Sequence, residues 1–594
     1  MSPQRPKKKD LKYFLKLILN WLRLLPLIVS SLSMVCFIID LGFDQSPWWQ
    51  DTIRLVYVGA ILISTISLVS RWFFPKVRPQ LKALPYDLAF LIFFTILIGY
   101  IFADWKYVLF ERRVLLNIGI FLVFLREFSS FKFNLRKRDL NPAQLFIISF
   151  ILIIFLGTGL LMLPNATYQG ISFVDALFTS SSAVCVTGLA VVDTGTYFTT
   201  FGQTLIVILI QIGGIGIMTF TSYFSYFFRG GSTYENQLLM KDMANADKIA
   251  EVFSTLKKII LLTFFIELVG AIFIYFSLDP IMIPDIFDRA YYSFFHSISS
   301  FCNAGFSTYT MGLYDPGFRF NYSLQLIIAG LIIIGGIGFP LMFNLFTYLK
   351  YLLFNKLLPF SRKKQIVHVP WVININSRIV FITTAILLVA GTILFYIFEY
   401  NNTLAEHGFF GKIVTAFFGA VTPRTAGMNT VDMAALSFST VLLTILLMWI
   451  GASPGSTGGG IKTTTFAIAT LNFISLARGK DRIEIFRREV SDMSVRRAFA
   501  TISLSLVIIG MAVLLVASFD SQLDLLQIAF ECFSAYSTVG LSLGITPGLS
   551  DASKIVLSIV MFIGRVSMLT IMVAVLRKVS HLKYRYPSEE IMIN

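Results

Sequence analysis

The fold of this chain is decided by four related stretches of sequence: FVDALFTSSSAVCVTGL at residues 173–189, AYYSFFHSISSFCNAGF at 290–306, KIVTAFFGAVTPRTAGM at 412–428 and DLLQIAFECFSAYSTVGL at 524–541. Each stretch ends in a glycine followed by a large apolar residue, and a phenylalanine stands ten residues before that glycine. The glycines recur at intervals of 113 to 122 residues. Such a period indicates four copies of one structural unit in a single polypeptide.

Long apolar runs flank each copy of the motif. Hydrophobic residues make up 56% of the chain and charged residues only 14%, with a mean hydropathy of +0.76, whereas soluble domains carry about a quarter charged residues. The runs approach the ~20 residues that cross a bilayer as a helix, and helices satisfy their own backbone in lipid. The sequence therefore predicts an all-α integral membrane protein and argues against a soluble enzyme.

The net charge of +16 is concentrated in alternate loops. Basic clusters occur at 5–12, 71–82, 136–138, 362–364 and 577–585, whereas the intervening loops at 40–51 and 279–288 are acidic or neutral. This alternation follows the positive-inside rule and predicts that both termini are cytoplasmic. It also favours membrane lipid, and not nucleic acid, as the surroundings of the basic residues.

Beyond residue 140 the same unit repeats: a long span, a short apolar segment ending in the motif, and a second span. We divide this region into pore repeats at 141–230, 231–350, 351–480 and 481–594, the last with a cytoplasmic tail. Residues 1–140 predict four extra N-terminal spans at about 12–40, 52–72, 86–104 and 107–127. No motif indicates a role for this first region.

The segments before the glycines are too short to cross a bilayer. We therefore predict re-entrant half-helices, each followed by extended backbone, which is tolerated at membrane depth where it lines a wet cavity or is buried in protein. Carbonyls of such backbone replace the hydration shell of a monovalent cation, and glycine permits the dihedral angles that aim them at the pore axis. The alternative is a set of glycine turns between packed helices. The predicted ion-binding residues are Val186, Thr187, Gly188, Asn303, Ala304, Gly305, Thr425, Ala426, Gly427, Thr538, Val539 and Gly540.

The second span of repeat 3 is interrupted by GASPGSTGGGIK at residues 451–462. A proline and several glycines within so few residues break a helix. The run is not a phosphate-binding loop, because Ile461 separates the last glycine from Lys462 and no strand precedes it. Arg565 is the charged residue within the last span, and an intramembrane charge indicates function. Arg424 is predicted either to brace the third motif or to reach the outer water.

These motifs resemble the Trk/Ktr/HKT superfamily of potassium transporters, most closely the bacterial TrkH and KtrB membrane subunits. VCVTGL, FCNAGF, TPRTAGM, YSTVGLS and WIGASPGSTGGGIKTTTF carry the resemblance, which extends over about residues 141–578. It implies a pseudo-fourfold pore in one chain, K⁺ held at the twelve residues above, a homodimer, and a cytoplasmic nucleotide-binding RCK-type regulatory subunit. Gly188 stands where a serine marks sodium preference in plant relatives, so the resemblance favours potassium.

The resemblance also implies that the break in repeat 3 is an intramembrane gate loop below the filter. The residues assigned to this gate are Gly451, Ser453, Pro454, Gly455, Gly458, Gly459, Gly460, Lys462 and Arg565. We expect the Arg565 guanidinium to hold the carbonyls of the loop. No cofactor is expected in this chain besides the transported K⁺, since the nucleotide belongs to the regulatory partner.

The expected function is potassium uptake across a bacterial plasma membrane, which is the inner membrane in a Gram-negative cell. A sodium-coupled or weakly selective monovalent cation transporter on the same scaffold is the alternative. An enzyme or receptor would need polar catalytic residues near one membrane face, and no such motif is found in the sequence. The driving ion and the regulatory nucleotide stay open.

Overall fold

The computed structural model describes residues 8–73, 84–102, 112–130, 142–215, 252–339, 341–348, 375–567 and 571–572. The predicted all-α architecture is confirmed: the regular structure of these residues is helical except for one short antiparallel hairpin, β1 Glu484–Ile485 and β2 Arg488–Glu489. The predicted cytoplasmic tail beyond residue 572 and the basic loop at 362–364 lie outside the described residues.

The N-terminal region forms four helices that overlap the four predicted spans. They are α1 Lys8–Gly42, α2 Pro47–Phe73, α3 Leu84–Phe102 and α4 Arg112–Ser130. Helices α1, α2 and α4 pack on one another, and α3 packs on α2 and α4. Their shared core is built on large apolar side chains such as Tyr57, Ile61 and Phe94. The far end of α1 meets the first repeat, where Asn165 Nδ2 donates to Leu41 O at 3.2 Å.

Each of the four repeats contributes a long first helix, a short helix that carries the motif, and a second helix. The first helices are α5 Pro142–Leu161, α8 Val252–Ser277, α11 Ile375–Glu399 and α15 Asp492–Phe519. The short helices are α6 Phe173–Val184, α9 Ile286–Cys302, α12 Phe409–Val421 and α16 Leu525–Ser537. The second helices are α7 Thr200–Gly214, α10 Tyr322–Ile337, α13 Phe438–Trp449 and α17 Asp551–Val566, and α14 Thr463–Ala477 follows α13.

The repeats close into a ring. The second helix of each repeat packs against the short helix of the next one: α7 on α9, α10 on α12, α13 on α16 and α17 on α6. The last of these contacts joins repeat 4 to repeat 1, and there Lys554 Nζ lies 2.7 Å from Asp175 Oδ1. Four units related in this way surround one axis.

The second helices end partway through their expected span. They have only 12 to 16 residues. Among the described helices, those that are each long and apolar enough to cross a membrane are Leu25–Gly42, Pro47–Ser70, Lys257–Ser277, Ile375–Glu399 and Asp492–Phe519. The sequence predicts such a break in repeat 3. In the structure, α10 of repeat 2 and α17 of repeat 4 also end early, before Gly338 and Ser567. Both of these residues have positive φ, at 93° and 71°, which ends a helix.

Candidate functional site

The four motifs adopt the same backbone conformation where the short helices end. The four glycines all have positive φ: Gly188 93°, Gly305 73°, Gly427 71° and Gly540 91°. The residues two positions earlier also have positive φ, although none is glycine: Val186 57°, Asn303 60°, Thr425 73° and Thr538 50°. Such conformations cost energy in L-residues. Their recurrence in all four repeats indicates a built backbone feature.

The four glycines meet in a closed ring, which we call the glycine ring. Each glycine lies against the carbonyl that precedes the glycine of a neighbouring repeat. A Cβ built on the glycine would stand 2.4 Å from that oxygen for Gly188 and Ala304, 3.0 Å for Gly305 and Ala426, 2.2 Å for Gly427 and Val539, and 2.0 Å for Gly540 and Thr187. Any side chain there would crowd a carbonyl of the ring, which explains why all four positions are glycine.

Hydroxyl groups on the short helices or at their C-terminal ends fix the backbone of the ring. They stand five or six residues before each glycine: Ser182 accepts from Gly188 N and Ser534 from Gly540 N, both at 3.0 Å, while Ser299 donates to Phe306 O at 2.8 Å and Thr422 to Met428 O at 2.5 Å. These four residues were not predicted from the sequence. The recurring hydroxyl at this offset is the signal that would have found them.

A vestibule of about 340 Å³ opens on one side of the glycine ring. All four glycines line it, together with two carboxylates, Asp193 and Asp432. Asp193 Oδ1 accepts from Thr196 N at 2.7 Å, and Asp432 Oδ1 accepts from Ala434 N at 3.0 Å. Fixed negative charge around a cleft raises the local concentration of cations.

The predicted gate loop, residues 451–462, lies against the ring from the other side. Gly459 N donates to Thr538 Oγ1 at 3.0 Å, and a Cβ on Gly458 would stand 2.1 Å from Thr425 Oγ1. The loop therefore touches the first motif residue of repeats 3 and 4.

The end of α10 holds the same loop from repeat 2. Ser453 N donates to Gly336 O at 3.0 Å, and Thr457 N donates to Gly335 O at 3.4 Å. Gly455 O accepts from Phe339 N at 3.1 Å. The carbonyls freed where α10 ends thus find donors in the loop, which pairs the two breaks with each other.

Two cationic side chains donate to carbonyls of this region. The half-buried Arg565 guanidinium contacts Thr457 O in the loop and Gly213 O at the end of α7. Lys462 Nζ donates to Gly458 O at 2.6 Å. The expected contact between Arg565 and the loop is therefore present, and Gly213 is a second partner that sequence spacing could not indicate. The gating role of these residues stays a prediction.

Arg424 lies behind the third motif and not in the vestibule. Its side chain is only 7% exposed, and Nη2 donates to Thr384 Oγ1 of α11 at 3.4 Å. This contact tests neither of the two predictions for this residue, and both stay predictions.

Comparison with known proteins agrees with this architecture. Residues 112–583 match the family model TrkH, described as a cation transport protein. The chain belongs to this family. It is 36% identical over 473 residues to the potassium/sodium uptake protein NtpJ of Enterococcus hirae, a match that covers 78% of this chain and 99% of the relative. It is also 36% identical to the Ktr system potassium uptake protein B of Bacillus subtilis over 457 residues, which cover 76% of this chain and 96% of the relative.

The fold is also that of a solved member of the family. The crystal structure of the potassium transporter TrkH from Vibrio parahaemolyticus superposes with a TM-score of 0.58 at 17% identity, covering 88% of this chain and 98% of that one. The chain is thus a multi-pass membrane transporter of this family, and not an enzyme. Residues before 112 lie outside the matched family region.

Proposed function

We propose that this protein takes up K⁺ across a bacterial plasma membrane through the pore that its four repeats surround. The observation that carries the proposal is the glycine ring, in which a carbonyl of every repeat faces the glycine of a neighbouring one. The names of the relatives, a Ktr system potassium uptake protein and the potassium/sodium uptake protein NtpJ, support it.

The ion-binding residues of the proposal are those predicted from the four motifs. Inward carbonyls of residues 186–188, 303–305, 425–427 and 538–540 replace the water around K⁺. The short helices α6, α9, α12 and α16 all end at these segments, so that their negative dipole ends point to the ion. Hydroxyls behind the ring, such as that of Ser182, hold the backbone in place.

The loop 451–462 is proposed as the gate of this pore. It lies directly against the ring, and its glycines allow it to rearrange at modest cost. Arg565 joins it to α7, so that this guanidinium stabilises the closed position. Lys462 adds a second positive charge, which opposes the passage of cations while the loop stays in place.

A separate cytoplasmic subunit of the RCK type is proposed as the regulator, with a homodimer of this chain as the membrane part. The naming of relatives as components of a Ktr system supports a multi-component assembly. Residues 478–497 supply seven basic and four acidic residues to the docking face. Reversing the charges of 478–497 and 350–364 should abolish co-purification with such a subunit. Co-purification that survives both changes would refute this docking face.

A weakly selective or sodium-coupled transporter is the second candidate. The observation that favours it is the relative described as a potassium/sodium uptake protein. Gly188 favours the first candidate, because all four ring positions are glycine and the ring keeps its symmetry.

The experiment that separates the two candidates is cation flux in liposomes that contain the purified chain. ⁸⁶Rb⁺ uptake should be inhibited by external K⁺ far more strongly than by Na⁺, and ²²Na⁺ uptake should be slow. Comparable ⁸⁶Rb⁺ and ²²Na⁺ uptake would support the second candidate. No uptake of either ion above protein-free liposomes, with the regulatory subunit present as well as without it, would refute both.

A further inference from the structure

Repeats 2 and 4 contain a hydrogen-bonded pair beside the vestibule. In repeat 2, His296 Nε2 lies 3.0 Å from Ser307 Oγ. In repeat 4, Ser542 Oγ donates to Glu531 Oε1. Both residues of the short helix stand nine positions before the ring glycine, and both serines stand two positions after it. The two pairs therefore occupy equivalent places in their repeats.

The serine has the same bonding role in both pairs. His296 Nδ1 lies 3.0 Å from Tyr292 O, and a carbonyl only accepts, so Nδ1 carries the proton and Nε2 accepts from Ser307. Each serine oxygen also accepts the N–H two residues further on, from Tyr309 at 3.1 Å and from Gly544 at 2.9 Å. Each serine thus fastens the segment that leaves the ring to the helix behind it.

Repeats 1 and 3 have different residues at these places. Thr179 Oγ1 donates to Asp175 O within its own helix at 2.8 Å, and the position two after the glycine is Ala190, which has no hydroxyl. In repeat 3 the position on the helix is the apolar Phe418. Because the ring runs through the repeats in order, repeats 2 and 4 are opposite each other. Besides the hydroxyls that hold the backbone in all four repeats, the ring therefore has this second brace along one diagonal.

The two acceptors are costly to bury, which argues for a role. His296 and Glu531 both have 0% exposure. Thr546 Oγ1 is a second donor to Glu531 Oε1 at 3.0 Å, while Oε2 has no hydrogen-bond partner within the described part of the chain. A buried polar group without its full set of partners destabilises the fold, and such groups inside membranes are functional by default.

We propose that His296 and Glu531 are positioning residues that set the preference for K⁺ over Na⁺. Through Ser307 and Ser542 they hold the outer edge of the ring along one diagonal. A ring held open in this way cannot contract around the smaller Na⁺, whereas an unbraced one approaches it more closely. The inference rests on the potassium uptake proposed above and adds two specificity-determining residues outside the ion-binding motif.

The test compares the ratio of ⁸⁶Rb⁺ to ²²Na⁺ uptake in liposomes for variants of the braces. Ser542→Ala and Ser307→Ala should each lower the ratio about fivefold, the factor that corresponds to one net hydrogen bond. Glu531→Gln should lower it less, because the amide oxygen still accepts from Ser542. Thr179→Val is the matched control and should leave the ratio unchanged, since its hydroxyl bonds within its own helix.

The outcomes separate this inference from the proposed function. A wild-type protein that transports Rb⁺ and Na⁺ equally refutes the potassium preference itself. A selective wild type whose serine variants keep the wild-type ratio overturns the brace. A Glu531→Gln variant that loses as much as Ser542→Ala overturns positioning in favour of the charge. Each serine variant removes a single oxygen. A variant is compared with the wild type only where their melting temperatures agree, so that a folding defect is not mistaken for a change in the preference for K⁺ over Na⁺.

Discussion

Gly188→Ser should weaken the discrimination between K⁺ and Na⁺. The serine Cβ would stand 2.4 Å from Ala304 O, and contacts of this kind are not observed below 3.0 Å, so the two groups must separate by about 0.6 Å or more. The positive φ of 93° adds roughly 1–2 kcal/mol for a residue with a side chain. We assign ~1.4 kcal/mol of lost K⁺ binding relative to Na⁺ to the displacement of one carbonyl of four. This loss lowers the selectivity for K⁺ about tenfold.

Gly305→Ser is the matched comparison for this variant. Its φ of 73° carries a similar conformational cost, but its Cβ would stand 3.0 Å from Ala426 O, a contact that a shift of a few tenths of an ångström relieves. The difference between the two variants therefore isolates the displacement of the carbonyl. The assay is inhibition of ⁸⁶Rb⁺ uptake by external Na⁺ in liposomes. Equal selectivity of Gly188→Ser and wild type, or a larger loss for Gly305→Ser, would refute this reasoning.

The remaining predictions concern the gate, the contact between Lys554 and Asp175 that joins repeat 4 to repeat 1, and the response to pH. Arg565→Ala should raise basal flux in liposomes and Arg565→Lys should restore closure only in part, because lysine lacks the planar fork; unchanged or lower flux in a well-folded Ala variant would place the gate elsewhere. Lys554→Met should destabilise the protein by about 1–3 kcal/mol, seen as a lower melting temperature, and adding Asp175→Asn should recover part of the loss; a wild-type melting temperature would show that the contact between repeats 4 and 1 does not stabilise the fold. Burial lowers the pKa of His407; the positive charges of Arg319 and Lys412 lower it further, whereas Glu406 raises it. Because the folded protein then disfavours the protonated imidazole, its stability should fall as the pH drops below about 6.5. His407→Gln should flatten the dependence of the melting temperature on pH between pH 7.5 and 5.

Much of the fold could be predicted because it depends on local sequence. The apolar runs predicted helices, and the common glycine motif predicted four repeats, since both signals lie within a few dozen residues. The broken second helices were predicted in repeat 3, where proline and glycine stand together. The ends at Gly338 and Ser567 were not predicted. The run GGIGFP at residues 335–340 also places glycines beside a proline, and this signal was overlooked, whereas Ser567 is neither glycine nor proline.

The candidate site could be predicted at the level of the motif but not of its contacts. The glycines were found from their period, whereas the carbonyl that each one faces belongs to another repeat more than a hundred residues away. Arg565 was singled out as a charge inside a span, but its bond to Gly213 depends on the closure of the ring. The brace between Glu531 and Ser542 was missed, because the hydrogen bond between residues eleven positions apart becomes visible only in the folded backbone. The shared positions of this pair and of His296 and Ser307 relative to the glycine were already present in the sequence.

The most direct test of the central claim is the position of the bound ion. A structure of the purified protein with Rb⁺ in place of K⁺, phased for the anomalous signal of rubidium, would locate it. Anomalous density is expected on the axis of the glycine ring, within coordination distance of carbonyls from all four repeats, and it should persist when excess Na⁺ is added beside Rb⁺. Rubidium density away from this axis, with none in the ring, would contradict the proposal that the glycine ring binds the transported ion.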